Sequence, residues 1–121
     1  LFQQIGDVGD IAALHGHRGR WFLSAGDLQH ASEALFDDLA LASQVGNRTT
    51  MAYALKLLGF VSLMRNDPTG AHERFSESLE MYRTLRLQGD VVENLEGLAA
   101  AAAIAGDGER AAKLLGVIHV W

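Results

Sequence analysis

The sequence predicts an all-α stack of antiparallel helix pairs, and three observations carry that prediction. Apolar residues recur at helical spacing, turn-forming segments interrupt them, and the whole pattern returns after 40 residues. Asp27, Asp67 and Asp107 mark the interval, each closing a turn-like segment: Ala25-Gly26-Asp27, Arg65-Asn66-Asp67 and Ala105-Gly106-Asp107. Four residues after each Asp stands an Ala (Ala31, Ala71, Ala111), and four further on a large apolar residue (Leu35, Phe75, Leu115). Twelve residues before each Ala stands a small residue: Gly19, Gly59 or Ala99. Residues 1–7 match residues 41–47 at the same offset. So many columns in one register make a repeat.

Taken in order, residues 1–6 read as the end of a preceding unit. Helices are then expected at about 8–25, 28–45, 48–65, 68–87, 90–105 and 108–120. Paired off, they form one domain of units 7–46, 47–87 and 88–121, the last truncated. The 28–45 helix carries Ala31, Leu35, Asp38, Leu39, Ala42 and Val45 on one face. Leu55, Leu58 and Val61 do the same between Thr50 and Met64, and Ala71, Phe75, Ser78, Leu79, Tyr82 and Leu85 after Asp67. Each Asp is a helix N-cap, because its carboxylate accepts the orphan N–H groups of the first turn. Pro68, the only proline, falls at the first helical position, where its missing N–H costs nothing. Gly6, Gly46 and Gly89 are C-cap candidates. Gly89 stands three residues late in the register, so its helix is expected to run one turn longer. Gly19, Gly59 and Ala99 are expected to let the paired helix approach where Ala31, Ala71 and Ala111 face them. The small run Ala99–Ala103 places the 90–105 helix in a tightly covered position. A stack cut from a longer chain exposes apolar ends, which fits Leu1-Phe2 and Val117 to Trp121.

Composition narrows the function. The chain has 121 residues, 49% hydrophobic and 21% charged, enough apolar surface for a core and too much for disorder. It has no Cys, which removes disulfides, thiol catalysis and Cys-ligated zinc. Ten basic against fifteen acidic residues leave a net charge of −5, the opposite of a nucleic-acid footprint. The longest apolar run, Leu98 to Ala105, is far below the roughly 20 residues a spanning helix needs. No signal peptide is visible. A cytoplasmic chain touching neither DNA nor membrane is expected.

The repeat columns resemble the tetratricopeptide repeat (TPR). Its Leu-small pair is matched by Leu58-Gly59 and Leu98-Ala99, and its Ala and bulky positions by Ala71/Phe75 and Ala111/Leu115. The resemblance covers essentially the whole chain and implies a right-handed superhelical solenoid. Two departures stand out: the period is 40 where the common repeat has about 34, and the first unit has Arg18-Gly19 for Leu-Gly. Segments 1–7, 92–100 and 105–116 look like the C-terminal repeats of large bacterial LuxR-type and SARP-like regulators. Those regulators join an ATPase module to a DNA-binding module. The resemblance implies an array that senses a protein, peptide or small-molecule effector. The chain itself has no phosphate-binding Gly-x-x-x-x-Gly-Lys-Ser/Thr loop and no basic recognition helix.

Neither a metal, nor a cofactor, nor a catalytic site is expected. His15 and His17 stand at i and i+2, on different faces of a helix. His30, His72 and His119 have no carboxylate at ligand spacing. Glu73, Glu77 and Glu80 form a solvated face, and Asp38 shares a column with Ser78 and Ile118 that suggests partial burial. No nucleophile has an oriented base. In repeats of this kind the first helix of each pair lines the inner groove, which suggests Arg20, Leu23, Tyr53, Lys56, Phe60, Leu63, Met64, Glu93 and Glu96. That mixture of aromatic, Met and charged side chains suits an adaptable peptide or helix site. The alternative is ordinary packing, with Leu23 and Leu63 holding the next unit. The Lys/Asn clamp of chaperone-tail-binding repeats is echoed only by Lys56 and Arg20, and Glu93 and Glu96 would repel an acidic tail. The expected function is therefore a non-catalytic interaction or effector-sensing module of a transcriptional regulator. The alternatives are a scaffold that dimerises through its exposed ends and an adaptor unrelated to transcription.

Overall fold

The structure, a computed structural model, describes residues 18–86 and 88–120, with 88–90 and 117–120 given as backbone. Among the described residues every regular element is an α-helix. These are α1 (residues 18–24), α2 (Leu28–Val45), α3 (Arg48–Met64), α4 (Pro68–Leu85), α5 (Gln88–Ile104) and α6 (Gly108–Val120). From α2 onward each lies within two residues of the boundaries that the apolar spacing predicts. Residues 1–17, with Gly6, His15 and His17, lie outside the described residues, as do Trp121 and the side chains of Ile118 and His119.

The turns fix the geometry. After α1, Gly26 N–H donates to Leu23 O (3.1 Å) and Asp27 N–H to Phe22 O (2.9 Å). The same pair of bonds follows α3, from Asn66 to Leu63 O (2.9 Å) and Asp67 to Ser62 O (2.8 Å). It follows α5 again, from Gly106 to Ala103 O (3.1 Å) and Asp107 to Ala102 O (2.9 Å). This 6→1 and 5→2 pattern requires a left-handed residue, and Gly26, Asn66 and Gly106 adopt φ of 78°, 58° and 84°. The Asp that completes each turn also begins the next helix. The Asp27, Asp67 and Asp107 carboxylates accept from the amides of His30, Gly70 and Arg110 at 3.0–3.1 Å. At Asp27 the His30 amide, and then the His30 ring, hold the carboxyl below its usual pKa. Asn47, which the spacing did not single out as a cap, does the same for Thr50 (3.1 Å).

Between units the left-handed residue is Gly46 (φ 71°) after α2 and Arg86 (φ 61°) after α4. The C-cap expected at Gly89 is therefore corrected: α4 ends at Leu85, the register stays at 40, and Gly89 belongs to α5. Arg86 holds a conformation that L side chains take only at a cost. Arg86→Gly is expected to raise the unfolding free energy by about 1 kcal/mol, read from urea denaturation.

Consecutive helices joined by such short turns run antiparallel, each packing on its chain neighbours, and α3 also meets α5. The core runs along the stack as successive clusters. Ala31 and Leu35 pack on Ala54, Leu57, Leu58 and Val61. Ala52 and Tyr82 pack on Val91 and Leu95. Ala71 and Phe75 pack on Leu98 and Ala101. Ala99 and Ala111 are buried beside them. The small residues act one turn further on than the spacing suggested. The space beside Gly19 is filled by the Leu35 side chain, and a Cβ at Gly59 would lie 2.8 Å from the Phe75 ring. The bulky column, not the Ala column, occupies the notch. Leu115, expected to pack likewise, is 48% exposed, because α6 has no further described helix against it. Asp38 and Ser78 are fully buried, beyond the partial burial expected for Asp38, and Ser78 Oγ donates to Ala52 O (2.7 Å).

Candidate functional site

The alternate helices α1, α3 and α5 border one cavity of about 340 Å³. From α1 come Arg20, Leu23 and Ser24; from α3, Lys56, Leu57 and Phe60; from α5, Glu93 and Glu96. Of the groove residues expected from the sequence, Arg20, Leu23, Lys56, Phe60, Glu93 and Glu96 are thus together. Met64 is not: it closes α3 at 58% exposure, away from the lining. Leu63 packs into the Phe75 cluster. Tyr53 does not line the cavity either, but it organises the lining.

Lys56 is the centre of that organisation. Its side chain is 3% exposed, and its ammonium pairs with the Glu93 carboxylate, which is 51% exposed. The same ammonium lies 5.1 Å from the centroid of the Tyr53 ring and 5.7 Å from that of Tyr82. Among the contacts of this cation, stripped of water, are a carboxylate and two π faces. Arg20 Nη1 donates to Tyr53 Oη (3.3 Å). That bond, with the nearby phenol and the Glu93 charge, raises the guanidinium pKa further above its ordinary value. One chain of contacts therefore runs from α1 through Tyr53 and Lys56 to α5. Leu57 and Ser24 were missed by sequence reasoning. Both carried a signal: Ser24 is i+4 from Arg20, and Leu57 is i−3 from Phe60, so each shares a face with a named residue.

The two partners are expected to respond unequally to truncation. Lys56→Met keeps the buried stem and removes the desolvated charge, so stability should change by less than about 1 kcal/mol. Glu93→Ala takes one carboxylate from the buried ammonium and should cost about 2 kcal/mol, moderated because Glu93 is half-exposed. Urea denaturation of the two variants checks the order; equal losses would refute it.

Further clefts lie elsewhere among the described residues, two of them bordered by α4 or α2. One of about 210 Å³ runs between α4, α5 and α6, where Arg110 Nη2 approaches His72 Nδ1 (3.3 Å) beside Asp107. The other, about 600 Å³, borders only α2 and Arg65. Among the described residues no three His, Asp or Glu side chains group to hold a metal ion, and no helix is long and apolar enough to cross a membrane.

Helices paired through repeated turns, with the odd-numbered ones converging on one cavity, invite comparison with solved repeat structures. The chain superposes on the crystal structure of the TPR domain of Arabidopsis FLU with a TM-score of 0.84, at 19% sequence identity. The match covers 90% of this chain and 92% of that one. The fold is a TPR-like all-α solenoid. No family model and no curated protein sequence matches the chain. In this TPR-like solenoid the cavity belongs to the face formed by the first helix of each pair, while the clefts at His72 and Arg65 involve the second helices.

Proposed function

We propose that the chain is a non-catalytic interaction module that receives a protein or peptide segment in the cavity between α1, α3 and α5. The observation that carries this reading is the convergence of three sequence-distant helices on one concavity. It has an apolar floor, Leu23, Leu57 and Phe60, and a charged wall. Its 340 Å³ accommodates a few side chains of a partner, or a small-molecule effector. Chemical-shift mapping with a peptide selected against the chain tests it. Shifts should concentrate at Leu23, Leu57, Phe60 and Glu96; shifts around Phe36 and Arg65 would refute the concave site.

In this reading the module is made of units 7–46, 47–87 and 88–121 and works in the cytoplasm as part of a bacterial transcriptional regulator. The segments that resemble LuxR-type and SARP-like regulators support that origin. The adjoining coding sequence should encode an ATPase phosphate loop and a DNA-binding module, and a gene with neither would refute it. A second reading, a homodimer joined through its ends, is favoured by the exposure of Ile104 (44%) and Leu115 (48%). Light scattering over a concentration series decides it, since a monomer at high concentration excludes self-association.

A further inference from the structure

We infer that the occupant of the cavity is a two-signed segment of a partner chain. It sets an acidic side chain against Arg20 on α1, a basic one against Glu96 on α5, and an apolar one between them on the floor. The inference rests on the concave site proposed above and adds the chemistry of its partner. Four charged groups border the cavity, two of each sign, so its lining is neutral as a whole. Two of the four match each other: the buried Lys56 ammonium pairs with the Glu93 carboxylate between α3 and α5. The other two do not. Arg20 is exposed and makes no ion pair among the described residues; its guanidinium donates to the neutral Tyr53 hydroxyl and keeps its charge for a further acceptor. Glu96 is likewise exposed and without an ion pair among the described residues. The two stand on different walls. Arg20 reaches α3 from α1, through Tyr53, whereas Glu96 belongs to α5, one turn beyond Glu93.

Other occupants fit these walls less well. An uncharged segment would cover both free charges and return nothing for the water it displaces. A segment of one sign would match one wall and press a like charge on the other. A segment with both signs meets each wall with its opposite. Because its own net charge is near zero, the −5 of the chain neither draws nor repels it at long range. The floor of Leu23, Leu57 and Phe60 sets the third requirement. An apolar side chain must stand between the charged ones, since two ion pairs alone would leave that floor wet.

A random peptide display library, selected against the full chain, tests this. Ser24→Trp fills the cavity from an exposed position on α1, so it identifies the peptides that use the cavity. Arg20→Gln and Glu96→Gln each remove one wall charge from an exposed side chain, and circular dichroism checks that all three variants keep the fold. Cavity-dependent peptides should carry an acidic and a basic residue flanking an apolar one, and should weaken about fivefold on either Gln variant. The two losses should also be separable. Replacing the peptide's acidic residue by its amide should remove the sensitivity to Arg20→Gln and leave that to Glu96→Gln; replacing its basic residue by Gln should do the converse. Cavity-dependent peptides that are uncharged, of a single sign, or indifferent to either Gln variant would overturn the two-signed occupant while leaving the concave site standing. A selection that yields no peptide, or only peptides indifferent to Ser24→Trp, would overturn both.

Discussion

Phe75→Ala is expected to lower the unfolding free energy by about 4 kcal/mol, the largest loss of any single truncation among the described residues. The ring is fully buried, on α4, and packs with Ala71, Leu98 and Ala101. It meets Phe60 edge-on, centroids 4.9 Å apart and planes at 80°. That pair adds about 1 kcal/mol beyond simple burial. The loss should also have a particular form. Phe75 joins α3, α4 and α5, so removing it weakens the contact between adjoining units as well as the packing within one. In a solenoid, where each unit is stabilised by its neighbours, a weakened contact broadens the transition. Urea denaturation followed by circular dichroism should show a lower midpoint and a shallower slope for Phe75→Ala. A loss of under about 1 kcal/mol in unfolding free energy would show that the ring is not a tie between units.

Gly97→Ala should cost about 2–3 kcal/mol, although alanine is the better helix former by about 1 kcal/mol. A Cβ on Gly97 would stand 2.5 Å from Cε1 and 2.6 Å from Cε2 of Phe75. Gly59 presses on the same ring, where its Cβ would lie 2.8 Å from both Cε1 and Cζ. The tip of the ring is thus approached by two bare stretches of backbone, and a methyl group on either would require it to move. Gly59→Leu should accordingly lose about 3 kcal/mol. That close approach makes a sharper claim testable: in a Phe75→Leu background, Gly97→Ala should be nearly harmless. A double-mutant cycle should return a coupling of more than about 1 kcal/mol, and additive losses would refute it.

Gly97 also shows where reading the sequence stops. Self-comparison finds a position when its counterparts share a property, and Gly59 has Gly19 and Ala99 in its column. The counterparts of Gly97 are Leu57 and His17, so nothing in the repeat marks it. Its role depends on Phe75 being larger than Leu35, a three-dimensional fit that no spacing encodes. The turns were legible for the opposite reason. A left-handed residue followed by Asp is a local chemical demand, met within three residues. Gly89 misled because glycine is the expected cap, whereas the geometry was satisfied by Arg86.

The cavity was legible in outline. The inner face follows from which helix of each pair leads, and Arg20, Lys56, Phe60, Glu93 and Glu96 all stand there. What could not be read is which charges remain available. Lys56 and Glu93 are 37 residues apart, and their pairing depends on how closely α5 approaches α3. Met64 was drawn in by helical spacing and lost because α3 ends at that residue.

The aspartates that finish one helix and begin the next leave no slack between them. A flexible linker would let one helix pair swing as a door on a hinge. Here a rotation of α1 against α2 must be taken up by the helix interfaces themselves, each giving a little. Within each such pair the helix interface, more than the turn, is therefore the compliant part, as the coils of a spring are and its ends are not.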